Sequence, residues 1–206
     1  MSFLSDFPPV RWAEVLPAVA RMSADDLMAL PEDRWRYELV AGHLVRLSPA
    51  DLRFDIIVGD LLRALGRFVA DTGLGGVTLP DTGFVVSPPS EEDTVFVPAL
   101  AFVRAERMPD AQTTQPTTYM RLVPDLVIEI ATPGQQRPEL ADKALLWLAA
   151  GARLVWVVWP GRRQVDTWQP EGERESHQTR TLSADGTLEG GAVVPGFTYR
   201  VAHLFL

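Results

Sequence analysis

The sequence predicts one α/β domain with α+β character, and three observations lead there. The runs LVIEIA (126–131) and RLVWVVWP (153–160) are short and almost wholly apolar, as strands covered on both faces are, and a helical segment joins them. A longer segment, DLRFDIIVGDLLRALGRFVADTG (51–73), repeats Val58, Leu61, Leu62, Leu65, Phe68 and Val69 at helical spacing. Between and around these lie short alternating runs broken by many of the 17 prolines, which indicates small strands joined by stiff turns. A central mixed sheet flanked by helices satisfies all three.

Taken in order, residues 1–22 are apolar and proline-broken and read as a loosely packed N-terminal arm, with 23–206 as a single domain. Ser23 and Asp26 have the spacing of a capping box, Leu27 and Leu30 give the short helix an inner face, and Pro31 ends it. RYELVAGHLVRLSP reads as a hairpin turning at Ala41-Gly42. The long helix follows, stopped by Gly73. GGVTLPDTGFVVSPP and TVFVPALAFVR read as two adjacent strands joined by a polar loop holding Glu91, Glu92 and Asp93. RMPDAQTTQPTTYMRLVP is a turn-rich excursion that leads into LVIEIA.

A helix is expected from Pro138 to about Ala150, with proline in its first turn and Gly151 at its stop. The strand–helix–strand unit 125–158 is the firmest part of the prediction. RQVDTWQP reads as an edge or hairpin strand, Glu171 to Thr179 as its loop, Asp185-Gly186 as a turn, and the apolar tail as packed.

A chain of 206 residues, 47% hydrophobic and 22% charged, can bury a sizeable core, which excludes disorder as its ground state. The net charge of −8 does not steer the molecule toward nucleic acid. Local clusters remain candidates, Arg34 with Arg36 and Arg46, and Arg153 with Arg162 and Arg163, against the plainer reading of ordinary surface arginines. Without cysteine there is no disulfide, thiolate zinc site or cysteine nucleophile. The opening MSFLSDFPPVRWAEVLP lacks the pattern of a signal peptide, and no apolar run is long enough to span a bilayer. A cytoplasmic protein is expected.

Glu129 is the strongest chemical clue. An ionised carboxylate between Ile128 and Ile130 on an interior strand is costly unless paired or bound to metal; a buried ion pair is the plainer alternative. Lys143 shares a helical stripe with Leu140 and Trp147, so it is aimed at the sheet, unless its stem merely covers apolar surface. Glu38 alternates away from Tyr37 and Leu39, which on pattern alone equally suits solvent. His43, His177 and His203 have no ligand spacing, and GLGG (73–76) lacks the context of a phosphate loop.

The segments RYELVAGHLVRLSPA, LPDTGFVV, TVFVPALAFVRAERMP and PDLVIEIATPG, the helix with Lys143 followed by AGARLVWVVWP, and the tail VPGF, in this order and spacing, resemble the Uma2 (DUF820-type) family of restriction endonucleases in the PD-(D/E)XK nuclease superfamily. The resemblance runs from about Ser23 to Phe205. It implies a restriction-endonuclease-like core, Mg²⁺ (or Mn²⁺) dependence and hydrolysis of DNA phosphodiesters. It assigns Glu129 and Glu38 as metal ligands and Lys143, migrated from the strand to the following helix, as the cation that assists water attack.

Ala99 departs from the pattern, standing where the family has the aspartate of a Pro-Asp pair. Trp159 and Asp51 also replace a common aspartate and a common histidine. Asp51 and Asp93 are the candidate substitute ligands, with Asp81 weaker. Asp125 lies about 13 Å along the strand from Glu129, too far to share one ion. An impaired endonuclease is therefore expected, or alternatively an inactive nuclease-fold homologue that binds nucleic acid or protein. No membrane partner is expected, and the apolar arm leaves room for a homodimer.

Overall fold

The computed structural model describes residues 10–17, 20–31, 33, 35–109, 119–172 and 176–205. Of the expectations above, Arg34, the start of the arm (1–9) and the heart of the excursion (110–118) lie outside them. The element order is β1 (Glu14–Val15), α1 (Ala24–Met28), β2 (Tyr37–Val40), β3 (His43–Arg46), α2 (Leu52–Thr72), β4 (Gly75–Thr78), β5 (Phe84–Val85), β6 (Val95–Phe96) and β7 (Leu100–Arg104). It continues with β8 (Leu126–Ile130), α3 (Arg137–Ala150), β9 (Leu154–Trp159), β10 (Gln164–Pro170), β11 (His177–Leu182), β12 (Thr187–Glu189) and β13 (Thr198–Arg200).

The central sheet has the order β11-β10-β9-β8-β7-β4. Only β8 and β9 within it run parallel, because α3 carries the chain back between them. Alternation along these strands divides the core. Leu126, Ile128, Ile130, Leu154, Trp156 and Val158 face the layer built on α2 and the C-terminal segment. Val127, Val155, Val157 and Trp159 face α3. A smaller sheet, β1-β3-β2-β6-β5, lies against the α3 layer through Phe84 and Phe96, and α1 covers its outer face through Leu27 and Leu39.

Local signals explain the elements. Ser23 and Asp26 form the reciprocal capping box on α1. Asp51 caps α2 by accepting from the Phe54 amide, and Gly73 ends it in the left-handed conformation, φ +68°. Ala41 and Gly42 both take positive φ, the geometry of a two-residue hairpin turn. Pro138 stands in the first turn of α3 and Gly151 at its end.

The two expected adjacent strands are adjacent, but each is split between the sheets. β4 pairs with β7 in the large sheet, whereas β5 pairs with β6 in the small one. The arms cross over at Leu79–Gly83 and at Val97–Ala99, where prolines remove ladder donors.

Two expectations need correction. The polar stretch expected as a loop to Thr179 regains strand pairing at His177, in register from Pro170↔His177 to Val165↔Leu182. This is an exposed edge strand held through its backbone, with no apolar alternation to announce it. The described part of the arm, 10–17, is not loose: Trp12 is buried and β1 pairs with β3. No described helix is long and apolar enough to cross a membrane.

Candidate active site

Three of the sequence-derived site residues converge. Glu129 points from β8 to the α3 face, opposite in sense to Ile128 and Ile130. Lys143 comes down from α3 between Leu140 and Trp147, on the stripe that packs against the sheet. Glu38 comes from the other side, because β2 is a central strand of the small sheet with Leu39 on its α1 face. The alternation read from sequence is therefore correct for Glu38, but the face opposite Leu39 is closed by α3 and Trp12 and excludes solvent.

The Lys143 ammonium donates to Glu38 Oε1 at 2.8 Å and lies 2.9 Å from Glu129 Oε1. Glu38 Oε1 also accepts from the Val97 amide at 2.7 Å, where the chain crosses between sheets. Glu129 Oε1 also accepts from Trp147 Nε1 at 2.9 Å. Trp147 in turn packs on Phe96, and the ammonium sits 5.7 Å from the centroid of the Phe96 ring. Relative exposure is 0% for Glu38, 2% for Lys143 and 6% for Glu129, so all three are withdrawn from water.

Two carboxylates share one ammonium here, and the cluster carries one negative charge in excess when all three are ionised. Desolvation of this kind costs several kcal/mol per ion. Burial pushes the Glu129 carboxyl above its ordinary range; Lys143 opposes that and Glu38 reinforces it. Burial alone would lower Lys143, but Glu129 and Glu38 together outweigh it and hold the ammonium above its ordinary value. A hard divalent cation suits this donor chemistry. Glu129 Oε2 takes part in none of the described hydrogen bonds, and Glu38 Oε2 has a long one, 3.4 Å from Trp12 Nε1. These two oxygens are the ones in the cluster that could meet a cation.

Other candidates stand elsewhere. The carboxylate of Asp51 caps α2. Asp93 accepts from the Ala24 amide at the start of α1 and pairs with Arg121. Asp81 is exposed and pairs with Arg36. Asp125 is clamped by Arg104 and Arg107 at the far end of β8. Among the described residues, no third acidic or histidine side chain joins Glu38 and Glu129 to form a metal-binding group.

Ala99 sits at an irregularity in the ladder. Leu100 pairs with Ile128, yet the Ala99 amide also reaches the Ile128 carbonyl at 3.0 Å. Two successive residues thus address one, as in a β-bulge, and both Ala99 and Leu100 belong to the α2-side core.

Trp12 is the site residue that sequence reasoning missed, although an aromatic residue in an apolar arm was a signal. It seals Glu38, packs edge-on against Phe96 and is tied down from two sides. Gln135 donates to its carbonyl at 2.9 Å, and the neighbouring Arg11 pairs with Asp142 on α3 at 2.7 Å. Outside it opens a cleft of about 470 Å³ whose lining includes Trp12, Trp35, Arg46 and Gln135.

The sequence pattern of the Uma2 family, described as "Putative restriction endonuclease", matches residues 24–202. The fold is similar to the crystal structure of a "putative nuclease belonging to DUF820" from Anabaena variabilis ATCC 29413. That similarity has a TM-score of 0.74 and 18% sequence identity, over 89% of this chain and 97% of the other. No curated protein matches.

Proposed function

The chain belongs to the Uma2 family, and from that premise we propose that it is a metal-dependent DNA endonuclease whose chemistry lies at Glu129, Glu38 and Lys143. One observation carries this reading. Two buried carboxylates and one lysine from three separate elements meet with an uncompensated negative charge, in the fold of a nuclease family. A divalent cation, magnesium or manganese, held by Glu129 and Glu38 would neutralise charge on a scissile phosphate and acidify a nearby water.

The chain's own groups set up that chemistry. Lys143 keeps both carboxylates oriented and stays protonated, adding a fixed positive charge beside the phosphate. Trp147 holds Glu129 Oε1 in place and leaves Oε2 outside that hydrogen bond. Trp12 must swing aside to admit substrate. Ala99 supplies no carboxylate and packs in the α2-side core, so a cation held by Glu129 and Glu38 alone would take more of its ligands from water, with weak affinity and a slow rate as the expected result. The cytoplasm, where DNA is available, is the compartment this reading requires.

The same alanine and the enclosure behind Trp12 favour a second reading, a disarmed nuclease fold retained for binding. A supercoiled-plasmid assay in Mg²⁺ and Mn²⁺ separates the two, with Glu129→Gln and Ala99→Asp run beside the wild type. Wild-type cleavage lost in Glu129→Gln supports the first reading, and an equally active Glu129→Gln removes it. A silent wild type awakened by Ala99→Asp identifies a nuclease disarmed at one position. Silence in all three folded proteins leaves the binding role.

A further inference from the structure

Beyond the buried cluster, two clefts lie end to end at the C-terminal edge of β8 and β9. One, about 280 Å³, is lined by Asp51, Arg53, Thr132, Gln135, Trp159 and Arg162 among others. The other, about 370 Å³, includes Arg53, Ile56, Arg163, Leu204 and Phe205. Arg53, Pro160 and Gly161 wall both, so the two make one groove. Its near end shares Pro133, Gly134 and Gln135 with the cleft outside Trp12. The groove therefore starts at the loop that directly follows the Glu129 strand.

The arginines of this groove stand together without acids. In a chain of net charge −8, most described arginines are matched to carboxylates, as in Arg11–Asp142, Arg46–Glu14 and Arg107–Asp125, and of those that are not, Arg153, Arg180 and Arg200 line neither cleft. Among the described residues, Arg53, Arg162 and Arg163 have no carboxylate within ion-pair distance. Arg162 lies over the Trp159 ring, and Arg163 over the Phe205 ring while donating to the Phe205 carbonyl. The acid that lines the groove, Asp51, is engaged in capping α2.

Arg163 also sits at φ +52°, a left-handed conformation that costs an ordinary side chain on the order of 1 kcal/mol and would suit glycine or asparagine. The turn Pro160–Arg163 holds two cations outward at that cost. Ile56, 46% exposed, adds an apolar wall next to Arg53.

We propose that Arg53, Arg162 and Arg163 form a track for the phosphodiester backbone of a nucleic acid, leading it toward the Trp12 door of the Glu129 site. This rests on the nuclease reading for the class of partner. Guanidinium groups recognise phosphate oxygens through paired N–H donors, and three of them along a groove follow a repeating anion better than a single one. The two arginine clusters considered from sequence resolve accordingly: Arg162 and Arg163 join Arg53, while Arg153 lies at the opposite end of β9, and Arg36 and Arg46 are neutralised by Asp81 and Glu14.

The test is binding of a fluorescein-labelled 20-base-pair duplex, and of its single strand, in EDTA at several salt concentrations. The proteins are Glu129→Gln alone and with Arg53→Gln, Arg162→Gln and Arg163→Asn combined, each verified as folded by circular dichroism. For the duplex, the slope of log affinity against log salt should fall by about 0.9 for each arginine removed. Arg162→Lys should keep its share, and Arg180→Gln, on the distant edge strand β11, should leave the slope unchanged. An unchanged slope in the triple variant overturns the track while leaving the nuclease reading intact. Lost binding together with a wild type that cuts no plasmid keeps the track and defeats the cleavage reading. No binding of either probe by the parent protein overturns the track outright.

Discussion

Strand β8 has a buried acid at each end, and the two are solved differently. Asp125, just before the strand, has Oδ1 paired with Arg107 at 2.8 Å and with Arg104 at 3.8 Å, and its Oδ2 accepts from the Arg104 amide at 3.0 Å. Its cations are 25% and 38% exposed, so the surplus positive charge is shared with water. At the other end Glu129 shares a single ammonium with Glu38, and all three are sealed. The first is a clamp with its charge relieved at the surface. The second holds one carboxylate more than its ammonium matches, relieved only by the Val97 amide, the Trp147 and Trp12 indoles and a raised affinity of Glu129 for a proton, a kind of perturbation that clusters at functional centres.

The strongest way to sharpen that contrast is to remove the shared cation. Lys143→Met should cost about 3–5 kcal/mol in urea denaturation, because two carboxylates are stranded in the core. Adding Glu38→Gln and Glu129→Gln should return much of it. A loss below 1 kcal/mol would mean that the cluster is wetter than its burial implies. At the clamp, Asp125→Ala should cost less, about 1.5–3 kcal/mol, since its arginines can turn to solvent, and plasmid cleavage should not change.

Titration tests the Glu129 end as well. The folded protein holds the Glu129 proton more tightly than the unfolded chain, whose glutamate titrates near its ordinary 4.5. Stability from this group is therefore complete below that value and is lost as pH rises through the elevated folded pKa. The slope is at most about 1.4 kcal/mol per pH unit. Lys143 stays charged through that window, so its contribution is lost only at more alkaline pH. Denaturation midpoints of wild type and Glu129→Gln across that range should diverge, with the variant flatter; parallel curves would remove the assignment. The smallest effect is expected from Trp12→Phe, which keeps the ring against Phe96 but deletes the long bond to Glu38, for about 0.5–1 kcal/mol.

Much of this was legible in the residues. Glu129 stood out because a carboxylate interrupts an apolar run, and Lys143 because its stripe is otherwise Leu140 and Trp147. The parallel unit followed from two apolar strands around a capped helix. Glu38 was different. Strand periodicity tells which residues share a face, but not what covers the other face, and here the cover comes from α3 and from the arm, both distant in sequence. The bulge at Ala99 depends on which strand lies alongside, and the edge strand β11 on a backbone ladder with no side-chain pattern. The arginine groove is assembled from α2 and the β9 turn, so one-dimensional clustering paired Arg162 with Arg153 rather than with Arg53.

The seat of Trp12 has a consequence for any titration of the intact site. A ligand that must meet Glu38 binds only the fraction of molecules in which the indole has left its place. The dissociation constant observed is the intrinsic one divided by that fraction. If about one molecule in a hundred were open, magnesium or manganese would register as roughly a hundredfold weaker than its contacts alone imply. A weak apparent metal affinity would then measure the retention of the strap by Gln135 and the Arg11–Asp142 pair, as much as the quality of the ligands behind it.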